Sequence, residues 1–539
     1  MRYLEQLWLN RLSLLEKYGV PAAITIWSLV VFVLVLHHEM WRDEVRALSI
    51  AVEPSSFIGL FSALRNEGHP VLWYALLRLA YFCWPTPVVL QVCATLVGLV
   101  SVILFAKFSP FPFPVRLTFM FGMLPLIEYT VMARNYGISM LLFFCLAMAY
   151  TGAGKRSALL VGTVVALTAN TNYLALFLMV LFFCFWAVES LFRGKDAWRE
   201  FLAGAGIAVA GIILAAWTVA MDANSSQAPP EYLQSIDYLS HLWAGILEPG
   251  QYLTHLIGGT ALVRHLFVAG LILGLLVRPL LALLLFVAFV AFNVIGGAIL
   301  FPQARHQGVM IMFALLLYWI ALADRQKRPP WYVPALRFLP GLAVLTVLLP
   351  LFVLHVTYDR KKIREEIDRE ASSASAIGRY INTNRQLAEA IILGDPDYKL
   401  QALPYYCQNR IYIVREKRFS GYVRYEQGQQ EFVTLDDLLS AAQRLHRDYR
   451  VPILILLGHW NMEGREPFDH INPYKRNFVT NREQIRRFTG QTLKLAEFNH
   501  ALSDENFQMF LYMEPVQLKT YQQRYGDRKF QLQLNDKEI

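Results

Sequence analysis

Apolar residues along this chain fall into long runs separated by short polar breaks. Read by length, the runs predict helical spans near 22–36, 87–107, 116–132, 136–152, 157–172 and 174–192. Five more fall near 200–221, 259–277, 279–301, 308–323 and 333–355. A helix needs about 20 apolar residues to cross a bilayer. In lipid, only a helix or a closed barrel satisfies its own backbone, and runs of this length read as helices. The segment from Val71 to Trp84 is apolar but short, and Arg78 interrupts it. It reads as a helix lying in the interface or as part of a re-entrant loop.

The pattern changes at Tyr358. From Asp359-Arg360-Lys361-Lys362 onward charge density rises and the long runs stop. Short apolar runs replace them: Ala390 to Leu393, Ile411 to Val414, Pro452 to Leu457 and Phe510 to Tyr512. Between them lies a helical pattern from Leu435 to Tyr449. Strands alternating with helices predict a soluble α/β domain with a partly parallel sheet. The expected organisation is therefore a polytopic α-helical membrane domain of about 11 spans over 1–357, followed by a C-terminal α/β domain over 358–539. The first strand ends in Gly394-Asp395-Pro396-Asp397, at the strand end where open α/β sheets bind ligands. No phosphate-binding glycine fingerprint accompanies it, which favours a structural or acceptor-docking role there.

Composition agrees with the membrane class: 55% of the residues are hydrophobic and 14% aromatic. The net charge of +9 does not point to nucleic acid, because the basic residues are spread over loops. Their distribution is topological. Arg2, Arg11 and Lys17, then Lys107/Arg116, Lys155/Arg156, Arg193/Lys195/Arg199, Arg278 and Arg325/Lys327/Arg328/Arg337 all fall on one side under this span count. That side is cytoplasmic by the positive-inside rule. The expected location is a plasma (inner) membrane, with the N-terminus cytoplasmic and the C-terminal domain outside. The first span is retained as an anchor, since no small-residue cleavage pattern follows it. The five cysteines show no disulfide framework and no metal-ligand spacing.

The outer side then collects a specific polar set. The first loop carries Asp43, Glu44, Arg46, Glu67 and His69; later outer turns carry Arg134-Asn135-Tyr136, Asn170 with Asn172-Tyr173, and Gln303 with Arg305-His306. An adjacent carboxylate pair, Asp43-Glu44, at a membrane edge is costly and points to function. A carboxylate acts as a base toward an acceptor hydroxyl. Arginine's planar fork matches phosphate and stabilises charge building on a phosphate leaving group. Together these describe group transfer from a lipid-phosphate donor. Arg134 and Arg305 stand on the side that should be depleted of arginine, which favours function over simple anchoring. Tyr136 and Tyr173 also fit an aromatic belt, and His69 beside Pro70 also fits a helix cap.

Three motifs carry a resemblance: Trp41-Arg42-Asp43-Glu44, Glu67-Gly68-His69-Pro70-Val71-Leu72-Trp73-Tyr74, and Ala133-Arg134-Asn135-Tyr136-Gly137. In order and sidedness they resemble the GT-C glycosyltransferase superfamily, in particular the branch of protein O-mannosyltransferases and lipid A aminoarabinose transferases. The resemblance covers about residues 20–355. It implies a polyprenyl-phosphate sugar donor, inverting transfer on the outer (periplasmic or luminal) face, and Asp43 as general base. Glu44 would support Asp43 or contact the acceptor, which is a glycan, a lipid or a protein. Arg134 and Arg305 would hold the donor phosphate, with His69, Tyr136, Tyr173 and His306 as further substrate-binding residues. No cofactor is expected. Metal-free chemistry is favoured because it leaves Asp43 free as a base; a divalent cation on the Asp-Glu pair is the alternative.

A transporter or lipid flippase with an extracytoplasmic ligand-binding domain is the competing class. Transporters place charges at midplane on broken helices, often in repeated halves. Here the charges sit at loop boundaries and no internal repeat is visible, with Glu128 the main intramembrane exception.

The topology is directly testable. A reporter fused after Asp324 should report cytoplasm and one fused after Tyr358 the opposite side, because the Arg325-Lys327-Arg328 cluster separates two spans. An external signal at Asp324 would invert the scheme.

Overall fold

The computed structural model describes residues 14–152, 157–220, 237–298, 301–323, 331–368, 371–426, 428–458, 469–471, 475–501 and 503–512. Within 1–38, 56–221 and 230–367, the described residues form one compact unit; those within 39–55 and 368–539 form a second. The units divide at 367/368, later than the change in composition at Tyr358, and part of the first loop belongs with the C-terminal unit.

The first unit is helical. Among the described residues seven helices are long and apolar enough to cross a membrane, or eight counting one bent pair. This is a multi-pass membrane protein; among the described residues fewer helices reach full spanning length than the eleven spans expected. Every predicted run nonetheless contains helix. The helices used below are α1 (Leu15–His37), α2 (Arg42–Val52, in the second unit), α3 (Leu72–Cys83), α4 (Val89–Phe108), the π-wound α5 (Leu124–Val131), α6 (Tyr136–Thr151), α7 (Ala158–Ala169) and α8 (Tyr173–Arg193). They continue with α9 (Lys195–Val219), α10 (Ala261–Gly274), α11 (Pro279–Ala298), α12 (Ala304–Ala323) and α13 (Pro334–Asp368). The shortfall lies in α7 and α10, which are short apolar helices, and at the α5–α6 break. Pro125 opens the π-wound α5, and the Phe113–Val131 segment meets α6 at 117°. The helix α3 coincides with the apolar segment interrupted by Arg78.

Close contacts between helices are made where side chains are small. A Cβ on Gly162 would lie 2.2 Å from the Gly204 carbonyl oxygen, so α7 and α9 approach backbone to backbone. Small residues let membrane helices approach this way, gaining dispersion contacts that lipid cannot supply. Charges in this unit are compensated locally. Glu189, 1% exposed, accepts from Tyr150, from Arg193 at 2.9 Å and from Arg278 at 2.7 Å. Arg278 is therefore a buried partner of a carboxylate and not a solvated loop charge.

α13 runs on past the expected end of its span, through Lys361-Lys362 to Asp368. Its polar residues there find partners inside the unit. Glu366 meets His38 at 2.9 Å, Lys362 meets Glu128, and Ile363 packs on the cluster of Trp27, Val31 and Ile127. Rising charge along the sequence marks these residues as tail, yet they cover one face of a continuing helix.

The second unit is built on a mixed sheet ordered β1 (Ile391–Asp395), β5 (Ile453–Leu457), β9 (Phe507–Tyr512) and β8 (Leu493–Phe498). β1 and β5 are parallel, and the other neighbours are antiparallel. Side chains alternate across a strand. Ile392, Leu454, Leu456, Met509 and Leu511 therefore share one face with Ile377 and Ile381 of α14 (Ala374–Thr383). Ile391, Leu393, Ile453, Ile455 and Phe510 pack on the other face, against α15 (Leu435–Tyr449) and α16 (Arg482–Gln491). Cover on both faces explains why β1 and β5 read as unbroken apolar runs. Ile411 to Val414 does not enter this sheet as a strand; Tyr412 and Ile413 (β2) pair with Arg418 and Phe419 (β3). The small third sheet, β4 (Phe432–Thr434), β7 (Asn477–Val479) and β6 (Asp469–His470), had no expected counterpart.

Candidate functional site

The sequence-predicted residues fall into two groups, one in each unit. Six of them, His69, Arg134, Tyr136, Tyr173, Arg305 and His306, belong to the membrane unit and gather there. Asp43 and Glu44 belong to the second unit, on α2.

In the membrane unit the gathering begins with caps and a close backbone contact. Asn172 accepts the Ala175 N–H at 2.9 Å and starts α8, placing Tyr173 in its first turn. Asn135 donates to the Thr171 carbonyl at 2.9 Å, tying the α5–α6 break to that cap. Asn170 and Asn172 are buried in this turn and serve structure. Gly137 lets α6 approach α5, since a Cβ there would sit 2.2 Å from the Tyr129 carbonyl oxygen. Tyr129 and Tyr136 then stack at 6.1 Å. The Tyr129 hydroxyl donates to the Arg305 carbonyl at 2.7 Å, bringing in the start of α12. At that start the Gln303 N–H donates to His306 Nδ1 at 3.0 Å, which leaves the neutral ring's proton on Nε2.

These ties assemble a ring of aromatic contacts. His69 lies 6.3 Å from Tyr136 and 6.1 Å from Tyr173; His306 lies 5.5 Å from Tyr136 and 6.2 Å from Tyr173. The Arg134 guanidinium sits 5.7 Å from the Tyr136 ring centre. Beside this wall Glu128, 5% exposed, accepts from Lys362 at 2.7 Å. The charges of Arg305 and Arg134 also act on that carboxylate. Three cations thus act on one carboxylate, Lys362 by direct contact and the two arginines through their charge.

Sequence reasoning missed Lys362 because it was assigned to the tail. Continuing the apolar face of the last span by one turn, to Ile363, would have found it. The direct partner of Glu128, the intramembrane exception in the sequence, is Lys362.

In the second unit Asp43 stands in the first turn of α2, with 30% of its side chain exposed. Glu44 is fully buried, and its carboxylate accepts the Trp41 N–H at 3.3 Å. An indole has no acceptor, so only this half of a capping box forms. Glu44 is engaged as a cap in the helix that carries Asp43. The next N–H, of Arg42, is taken by Glu505 at 3.2 Å. The Arg42 side chain binds Asp504 at 2.5 Å and rests 5.5 Å from the Tyr398 ring centre. Arg46 bonds to Gln401 and to the Val423 carbonyl, so it too fixes α2. Asp504 and Glu505 lie 462 and 463 residues from Arg42, and no local pattern announced them.

The turn after β1 is filled by protein charges. Arg415 binds Asp395 at 2.5 Å, and Arg476 binds Asp397 at 2.5 Å and Glu416 at 2.8 Å. These groups are buried and paired, which fits the structural reading of that strand end. Among the described residues no three His, Cys, Asp or Glu side chains are grouped as metal ligands.

No family model matches the chain, and no curated protein does. Solved structures do. The crystal structure of ArnT from Cupriavidus metallidurans bound to undecaprenyl phosphate aligns over 92% of this chain and 98% of its own, with 11% identity and a TM-score of 0.50. The chain shares the fold of this ArnT structure. ArnT from the same source in the apo state gives 13% identity and a TM-score of 0.45 over the same coverage. The arabinofuranosyltransferase AftD from Mycobacteria, by single-particle cryo-EM, gives 15% identity and 0.35, over 92% of this chain and 40% of that one. At those scores neither adds to the fold assignment.

The Glu128–Lys362 pair can be tested by a double-mutant cycle. Lys362→Met should lower stability by about 1.5–3 kcal/mol, the range for hydrogen bonds to charged groups. The double variant with Glu128→Gln should cost less than the sum of the two singles. Thermal unfolding in nanodiscs reads this; additive losses would show that the two side chains do not depend on each other.

Proposed function

We propose that this chain is an inverting glycosyltransferase. It moves a sugar from a polyprenyl-phosphate-linked donor to a glycan, lipid or protein acceptor on the outer face of the membrane. The observation that carries this reading is the gathering of Arg134, Arg305 and Lys362 about Glu128 beside the ring of His69, Tyr136, Tyr173 and His306. The fold of ArnT, a protein solved with undecaprenyl phosphate bound, supports the same class of donor.

In this reading the arginines and Lys362 hold the donor phosphate. The acceptor hydroxyl oxygen attacks the anomeric carbon, and its proton passes to the Asp43 carboxylate. The bond from that carbon to the phosphate oxygen breaks, the electron pair leaves with the lipid phosphate, and the cations stabilise the charge that builds there. Attack opposite the leaving group inverts the anomeric centre. His69, Tyr136, Tyr173 and His306 line the sugar or phosphate. Glu44 keeps α2 capped, which orients Asp43. The particular sugar and acceptor depend on pocket shape.

Asp43→Asn separates basicity from size. General-base loss typically costs ~10²–10⁴ in rate. Transfer of labelled sugar from a purified lipid-phosphate donor in nanodiscs should fall by that factor while donor binding persists. Near wild-type transfer by Asp43→Asn would rule out this mechanism.

A further inference from the structure

Glu505 is a buried carboxylate, 0% exposed, which the mechanism above does not use. Its Oε1 accepts the Arg42 N–H at 3.2 Å, and its Oε2 accepts the Ser372 hydroxyl at 2.5 Å. The charged groups facing it come from several elements. From the α2 side come Arg42, with Nη1 3.7 Å from Glu505 Oε1, and the adjacent Asp43. Glu39 accepts the N–H of the same Ser372. From its own segment comes Asp504, which receives Lys399 at 3.5 Å and Arg42 at 2.5 Å. Arg42 is also 3.8 Å from Asp43 through Nε. One guanidinium is thus shared by three carboxylates, Asp43, Asp504 and Glu505.

We propose that Glu505 is a positioning residue for Asp43: it anchors the first N–H of α2 and competes with Asp43 for Arg42. This rests on the reading of Asp43 as the general base. With Glu505 ionised, Arg42 is drawn toward it, and the added negative charge strengthens Asp43 as a proton acceptor. With Glu505 protonated, Arg42 is left to Asp504 and Asp43, and Asp43 becomes a weaker base. The switch operates near neutrality, because burial pushes the Glu505 carboxyl up to about 7, with Asp43 adding to the rise and Ser372 and Arg42 opposing it. Asp504 behaves differently: burial pushes it up, but Arg42 and Lys399 hold it below the ordinary carboxylate range, so it stays charged throughout.

The sign of the stability effect follows from the direction of the shift. A carboxyl raised from 4.5 to about 7 binds more protons folded than unfolded across that window. Its contribution is therefore full below the unfolded value and is lost as pH rises through the folded one.

The test is thermal unfolding of the full chain in nanodiscs between about pH 4.5 and 8 for wild type, Glu505→Gln and Asp43→Asn. Wild type should lose stability with rising pH across this window relative to Glu505→Gln. Asp43→Asn should move the upper end of the window to lower pH. Where sugar transfer is measured, Glu505→Gln should abolish the ionisation near neutrality in the pH–rate profile. It should also lower kcat roughly threefold to tenfold on the alkaline plateau, with KM unchanged. Profiles of both variants parallel to wild type overturn the pairing. If Glu505→Gln does not fold, an unmoved window in Asp43→Asn overturns it alone. Absence of any sugar transfer by wild type would defeat the proposed function but leave the unfolding test intact.

Discussion

A carboxylate buried inside an apolar helical unit must be compensated, and Glu128 is such a group. Lys362 meets it directly, and Arg134 and Arg305 act on it from nearby. Much of the local architecture serves that meeting: the π-wound α5, the sharp break before α6, the capped start of α12 and the extension of α13 beyond its span. Removing one partner from a buried ion pair costs far more than the pair itself contributes. The cost explains why four separate segments converge here.

A different solution operates around α2. The N–H groups at its start have no partners among the helix's own carbonyls. Glu44 satisfies one from inside the helix, and Glu505 satisfies another from across the second unit. Arg42 and Arg46 then tie the helix to Asp504, Gln401 and Val423. Asp43, partly exposed in this first turn, stands on a helix whose first free N–H groups are met by the buried carboxylates of Glu44 and Glu505.

The spans were legible because an apolar run of bilayer length has one physical solution. Their ends were less so. Long apolar runs are absent after Tyr358, yet α13 continues, because Lys362 and Glu366 find internal partners that a window of sequence does not reveal. The candidate site was legible in part for a similar reason. Arg134 and Arg305 stood out because arginine is depleted on the outer side, and Asp43 because acids are costly at a membrane edge. Glu505 and Ser372 carried no local signal; only the fold brings them to their partners. Glu44 was read together with Asp43 as one acidic pair. Adjacent helix positions point in different directions, and the helix turns Glu44 inward as a cap while Asp43 stays partly exposed.

Everything proposed for the membrane unit turns on the cations around Glu128 holding a lipid phosphate. The most direct measurement is the affinity of a polyprenyl phosphate for the purified protein in nanodiscs, for wild type, Arg134→Ala and Arg305→Ala. Losing one charge-assisted contact to a phosphate costs about 1.5–3 kcal/mol, so affinity should fall roughly tenfold to a hundredfold in each folded variant. Unchanged affinity in both variants would contradict the account.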